Sequence, residues 1–477
     1  MKNRNAITLV LFVLFVSTQS AVAQWHTDNN PLDSLPASKL MMQMREKPVF
    51  NWTMRGAELF FNDYIPVVGD SARFEAGPIT TLVSHNALEG LRFRLGGATT
   101  VRLNRQLFAE GYLAYGLDDE KLKGDLLLEY AFEKKKKYRR EYPLHYLRAE
   151  YKYDVNPIGQ LYVDRSYDNV FSLLKRKSDR LLTYTQTAEL SYFQEYSNGW
   201  SYGIAARHQT EWATEYVPFN EIQSDGSIVP LDHYRTSEIE FKLRWARNEK
   251  FRFSRRRRYS LMNATVIELT NTVALKNVLG SDYQYNSTEL SVHKRLELSA
   301  FGFVNIHGRA GQIWGDVPYP LLFMPRTSLA YALAGSEAFA LLDPMEFMSD
   351  RFVSWNVQYH LNGLLFNRLP LFNQLKWHEV AALQIWHGDL SDKNNPQAVI
   401  PTQAIVIPAQ AGTTTTNALF LFPEKTYRMG STPYMELSFG IEHIFKFLRV
   451  DYVRRLTFRN HPGTPNDGVR MSTVFSF

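Results

Sequence analysis

The sequence predicts an all-β protein: a transmembrane antiparallel β-barrel of about 16 strands with a short segment ahead of it. Three observations carry this. Val469 to Phe477 alternates, with Val469, Met471, Thr473, Phe475 and Phe477 on one face and Arg470, Ser472 and Ser476 on the other, Val474 being the exception. A period of two marks a strand, because successive side chains point to opposite faces. The chain also opens with an export-like segment, and alternating stretches recur between the two ends. No later stretch reaches the roughly 18 uninterrupted apolar residues of a membrane helix.

The elements follow in order. Lys2 and Arg4 make a basic start, Ile7 to Val16 an apolar run, and Ala21-Val22-Ala23 a small-residue cleavage site. Residues 1–23 are therefore expected to be a signal peptide, the mature chain beginning near Gln24. The apolar run is too short for a membrane anchor, which needs roughly 20 residues. Residues 24–71 read as a periplasmic lead-in or plug: a polar turn over Asp28 to Pro36, a short Met-rich helix over Ala37 to Glu46, and Phe60 to Pro66 leading into the first strand. That segment is short for an independent domain. The absence of Cys excludes lipoprotein modification, disulfides and thiolate metal sites.

Residues 72–477 form the barrel in this reading. Leu126, Leu128, Tyr130 and Phe132 oppose Asp125, Glu129 and Glu133; Leu147, Ala149, Tyr151 and Tyr153 oppose Arg148, Glu150, Lys152 and Asp154. Ile239, Phe241, Leu243 and Trp245 oppose Glu238, Glu240, Lys242 and Arg244, and Leu290, Val292, Leu296 and Leu298 oppose Glu289, His293, Arg295 and Glu297. Val353, Trp355, Val357, Tyr359 and Leu361 oppose Ser354, Asn356, Gln358 and His360. Strands are expected near 72–84, 88–100, 105–116, 121–133, 143–154, 181–196, 199–215, 233–248, 259–275, 284–298, 300–314, 351–365, 373–388, 433–442, 446–458 and 467–477. The charged faces suit a wide lumen rather than a packed small barrel. Arg148, Glu150, Glu240, Arg244, Glu289 and Arg295 are the lumen charges of interest. Their mixed signs favour a salt-bridge ladder along the wall over ion selectivity.

Aromatic residues make up 14% of the chain, which suits girdles at the two bilayer interfaces. The net charge of +6 is concentrated in Lys134 to Arg140 and Arg255 to Arg258. An exported chain rarely meets nucleic acid, so both runs are expected to be solvated turns. Barrels of this kind have short periplasmic turns and longer extracellular loops. Counting from a periplasmic C-terminus, the short connections 197–199, 299–300 and 443–446 and the long ones 155–180, 217–232, 315–350 and 389–432 all have the correct parity. Both basic runs then fall in periplasmic turns. Residues 397–417, rich in Thr and Ala, read as a surface loop.

The terminal aromatic strand resembles the closing strand of bacterial outer-membrane barrels, whose insertion machinery reads such an end; Phe475 and Phe477 would carry that signal. The stretches Pro433 to Leu456, Glu89 to Gly97, Gly111 to Gly116 and Val317 to Leu322 resemble an uncharacterised outer-membrane barrel family of Bacteroidetes. Many of its members carry a carboxypeptidase-regulatory-like domain, which residues 24–71 are too few to supply. More distantly, the chain is similar to the surface-antigen superfamily of outer-membrane assembly factors and two-partner secretion translocators. That resemblance implies 16 strands and a long sixth extracellular loop that enters the lumen with a functional Arg. Arg326, in the 315–350 connection, would take that inward-pointing role and pair with lumen carboxylates, although the superfamily's loop motif is not present and periplasmic docking repeats are missing.

No catalytic constellation emerges. His307, His360, His378 and His387 are available, but no spacing pairs a nucleophile with a base. Trp386 to Asp389 sits where a rim site would lie, and a rim aromatic beside a polar loop is its plainer reading. No His, Asp or Glu cluster has metal-ligand spacing, so neither cofactor nor metal is expected. The functional expectation is translocation or assembly of outer-membrane or surface components, without enzymatic activity. A passive pore or partner-binding barrel is the alternative and a rim hydrolase a weaker one. The expected partners are outer-membrane lipid, the barrel-insertion machinery and other outer-membrane proteins, with no nucleic acid.

Overall fold

The computed structural model describes residues 63–67, 72–160, 169, 179–223, 227–247, 249–253, 258–261, 264–329, 337–370, 375–396, 419–444 and 448–473. The expected signal peptide and most of the expected lead-in, residues 397–417, Phe475 and Phe477 lie outside them. The described chain forms one large antiparallel sheet in which each long strand pairs with the next. β1 is in two pieces, Phe74–Ala76 and Val83–Asn86. It is followed by β2 (Gly90–Thr99), β3 (Leu107–Gly116), β4 (Leu122–Ala131), β5 (His145–Pro157), β6 (Leu182–Glu195), β7 (Trp200–Trp212) and β8 (His233–Arg247). The second half comprises β9 (Thr265–Ala274), β10 (Tyr285–Glu297), β11 (Phe303–Gly315), β12 (Arg351–His360), β13 (His378–Asp389), β14 (Tyr434–Ile444), β15 (Leu448–Arg455) and β16 (Asp467–Thr473). The wall is thus a sixteen-stranded meander with the strand positions the alternation predicts.

Burial is inverted relative to a water-soluble sheet. Leu126, Leu128 and Tyr130 on β4, Tyr151 on β5, Phe241 and Leu243 on β8, and Val353 and Trp355 on β12 are exposed, while Glu129, Asp154, Asn356, Gln358 and His360 on the opposite faces are buried. Soluble monomers rarely expose apolar patches on this scale. An outward apolar face over a polar interior is the pattern of a transmembrane barrel. Among the described residues, no helix is long and apolar enough to cross a membrane. No ladder joins β1 to β16 among those residues either, so the wall has a seam there.

The structure departs from the sequence reading at β1, at the start of β9 and in the first basic run. β1 is broken because Pro78 has no N–H to give the ladder. The chain there folds onto Asp63, whose Oδ1 accepts from the Thr80 amide (2.9 Å) and hydroxyl (2.6 Å). Residues 259–261 do not begin β9; they close a separate hairpin, Lys250–Phe253 with Arg258–Leu261. The run Lys134 to Arg140 is not a solvated turn throughout. Arg139 is buried, donating to Glu129 through Nε (2.9 Å) and Nη2 (3.0 Å) and to Glu110 through Nη1 (2.9 Å). Lys135 Nζ donates to the carbonyls of Glu141 (3.0 Å) and Pro143 (2.9 Å). Inward carboxylates at this end draw the cations in, which a charge run alone does not reveal. Of the second run only Arg258 is described, and it pairs with Glu195 at 2.5 Å.

The two faces should respond differently to charge. Leu126→Arg on the outward face of β4 should lower folding stability in lipid vesicles by about 2–4 kcal/mol. Thr270→Arg on the inward face of β9 should leave it near wild type. Urea titration of vesicle-bound protein measures both, and equal tolerance would overturn the inside–outside assignment.

Candidate functional site

The long connections gather at one end of the wall, and their described parts build a cap. The β11–β12 connection, 316–350, contributes Val317, Tyr319, Leu322, Met345 and Met348 to a buried apolar cluster with Tyr234, Tyr285 and Ile313 of the wall. Val217 and Phe219 from the β7–β8 connection and Phe420 from the β13–β14 connection join it. The Phe219 and Phe420 rings stack with centroids 5.1 Å apart. A second cluster sets Phe339, Leu342 and Phe347 against Phe352, Trp386 and Tyr434, which belong to β12, β13 and β14. The lumen is therefore filled with side chains at this end, and burial of these apolar groups is the main force holding the connection in.

Polar contacts then fix where the connection sits. The amides of Ala340 and Leu341 donate to the two oxygens of Glu436 on β14, each at 2.9 Å. The Ala338 carbonyl accepts from Arg470 of β16 (3.2 Å) and Gln384 of β13 (3.4 Å). Gly468 of β16 faces Leu341; a Cβ there would lie 2.7 Å from Leu341 Cδ2, so the missing side chain makes room for the connection. Glu346, buried, is held by Arg455 of β15 and by His461 Nδ1 at 2.7 Å. The connection is thereby tied to β13, β14, β15 and β16, the strands that lead to the seam.

Arg326 stands on the other flank. Its guanidinium lies 3.6 Å from Glu289 of β10 and 3.3 Å from Glu337 of the same connection. Glu289 also pairs with Arg309 (2.8 Å), and Glu337 lies 3.2 Å from His307 Nδ1. Burial works against the Glu337 carboxylate, but the hydrogen bond from His307 and the charges of Arg326 and Arg309 outweigh it and hold this group below the ordinary glutamate range.

The remaining lumen charges line the wall in short-range pairs. Arg148 meets Glu129 at 2.8 Å, Arg244 meets Glu249 at 2.7 Å and Arg295 meets Glu297 at 2.6 Å. Glu240 lies 3.7 Å from Arg207, which also reaches Glu189 and Glu238, and Glu150 stands opposite Glu189 in the β5–β6 register. A denser network that sequence reasoning missed lies beneath the β1–β2 turn. Arg92 joins Glu89 (2.8 Å) and Asp154 (2.6 Å), and Lys123 joins Glu89 (2.7 Å) and Asp119 (2.6 Å). All five are buried, and alternation alone had placed only Asp154 inward. At the rim, His387 is exposed, and Asp389 is paired with Arg351. At the opposite end the fold brings His360, His378, Glu442 and His443 together. Spacing could not show this, because they come from three strands.

Residues 58–393 match the C-terminal domain of a family of unknown function, DUF5686, and the chain belongs to that family. The match spans β1 to β13; of the four stretches that carry the family resemblance, 433–456 lies beyond it. No curated protein matches the chain. Among solved structures, it is similar to BamA from Haemophilus ducreyi lacking POTRA domains 1–3, with 10% identity, a TM-score of 0.46, and coverage of 92% of this chain and 82% of that one.

Two outcomes test the docking. Glu346→Gln strips the buried Arg455 of its charge partner, a loss of about 3–5 kcal/mol for a buried pair. It should speed tryptic cleavage at Arg326 in the folded protein. The contribution of Glu337 is fully present above its ordinary value of 4.5 and is lost as pH falls from there through the lowered value. Acidification across that range should red-shift tryptophan emission from Trp386, which is buried against the connection, and Glu337→Gln should blunt the shift.

Proposed function

We propose that this family member is an outer-membrane barrel whose lumen is gated by its 316–350 connection, and that it serves the translocation or assembly of outer-membrane or surface components. The observation that carries the reading is the clamp on the connection: Glu436 holds its backbone, and Arg455 and His461 hold Glu346. These ties reach the strands beside the seam, so undocking the connection and loosening β14 to β16 would be coupled. In this reading the long connections are extracellular, the short turns periplasmic, and Arg326 the inward-pointing gate residue. The protein is not an enzyme in this proposal. Its partners are outer-membrane lipid, the insertion machinery during biogenesis and other outer-membrane proteins. Phe475 and Phe477 are proposed as the insertion signal.

Planar-bilayer conductance of the refolded mature chain tests the gate. A closed wild type that opens in Glu436→Gln/Glu346→Gln, or when 316–350 is deleted, supports it. Large stable openings in the wild type would favour a passive pore. A barrel that stays closed in every variant would leave a structural or partner-binding role. Depletion tests the assembly role: other outer-membrane barrels should decline, whereas a pore would alter permeability alone.

A further inference from the structure

We propose that the short-turn end of the wall carries a divalent transition-metal site formed by His378, Glu442 and His443, with His360 orienting the carboxylate. The potential ligand atoms of the three residues all lie within 4.8 Å of one another. This site stands apart from the docked connection and does not depend on the gating proposal.

The fold assembles it deliberately. His378 opens β13 and stands opposite Glu442 of β14 in the ladder. In a regular strand Glu442 and His443 would point to opposite faces. The β14–β15 register shifts between Ile441 and Ile444, and His443 has φ 61°. A positive φ is uncommon outside glycine, and bulges re-aim side chains. Here the result is that the His443 ring comes within 4.7 Å of the His378 ring, centroid to centroid, instead of leaving for the outer face.

The chemistry of the donors points to a metal rather than to a buried polar pair. Among the described residues His378 Nδ1 is buried without a hydrogen-bond partner, so a neutral ring can offer its lone pair there to an ion. Buried polar atoms of this kind call for an occupant. Glu442 is almost wholly buried, and His360 Nδ1 lies 2.9 and 3.1 Å from its two oxygens. His360 is itself fixed by stacking on Phe303, with centroids 4.4 Å apart. A ligating carboxylate held by an outer partner is a recurrent feature of metal sites. Two imidazoles and one carboxylate suit zinc, nickel or copper, and a three-ligand set leaves one position for water. Metal–ligand distances of about 2.0–2.2 Å require the side chains to close slightly around the ion. His378 and His443 are half-buried, so an ion can reach them from the short-turn end. Once bound, it would cross-link β13 to the bulge of β14.

The experiment uses the refolded, metal-free mature chain in detergent, with folding checked by heat-dependent gel mobility. Zinc titration by calorimetry should give one tight site, and Co2+ should give visible d–d bands that zinc abolishes. His378→Ala and His443→Ala should each remove the site, His360→Ala should weaken it roughly 10–100-fold, and His387→Ala at the far rim should leave it intact. No binding by the wild type, or wild-type binding by the folded His378→Ala/His443→Ala variant, would overturn the proposal. If the variants do not fold, zinc protection of His378 and His443 from diethyl pyrocarbonate in the unmodified chain decides. Protection supports the site and equal modification with and without zinc refutes it.

Discussion

The structure depends on one constraint: the outer face of the wall is apolar, and such a face accepts neither a free amide nor a charge. Every strand must therefore be paired along its length, and a closed or nearly closed antiparallel meander is the available β solution. The strand-by-strand ladder from β1 to β16 meets that demand everywhere except at the seam. The same constraint sends the charges inward, where they must find partners among themselves. The Arg92–Glu89–Lys123–Asp119 network and the Arg139–Glu129–Arg148 cluster are the outcome. Breaking one member would leave a buried charge unmatched, which is far more costly than the pair is favourable.

The inward charges also position the 316–350 connection. Apolar burial draws 316–350 into the mouth, but burial has no direction. Glu436, Arg470 and Arg455 supply it, through directed bonds to the Ala340 and Leu341 amides, the Ala338 carbonyl and the Glu346 carboxylate. The result is a connection docked against β13 to β16 on one flank and β10 and β11 on the other. A plug that rests on the strands beside the seam is mechanically linked to them, whatever passes through.

The strand positions were legible because alternation is a local property. Each apolar–charged dyad reports its own face, and sixteen such segments recover the wall. What was not legible lies where distant residues meet. The sequence spacing between Glu346 and Arg455 is 109 residues, and nothing near either marks the other. Arg326 was singled out by resemblance, but its partners Glu289 and Glu337 follow from docking. The Lys134 to Arg140 run was read as solvated because charge runs usually are, yet Glu129 and Glu110 lie within reach once β3 and β4 pair.

The sequence by itself determined the architecture: the period-two pattern sets which residues face outward, and the order of long and short connections sets which end carries the loops. Tertiary structure alone decided the interior. Which carboxylates would clamp 316–350, and that a bulge at His443 would turn a ring toward His378, depend on register and on the curvature of the wall. Register and curvature arise from the pairing of strands far apart in the chain, so no local stretch of sequence contains them.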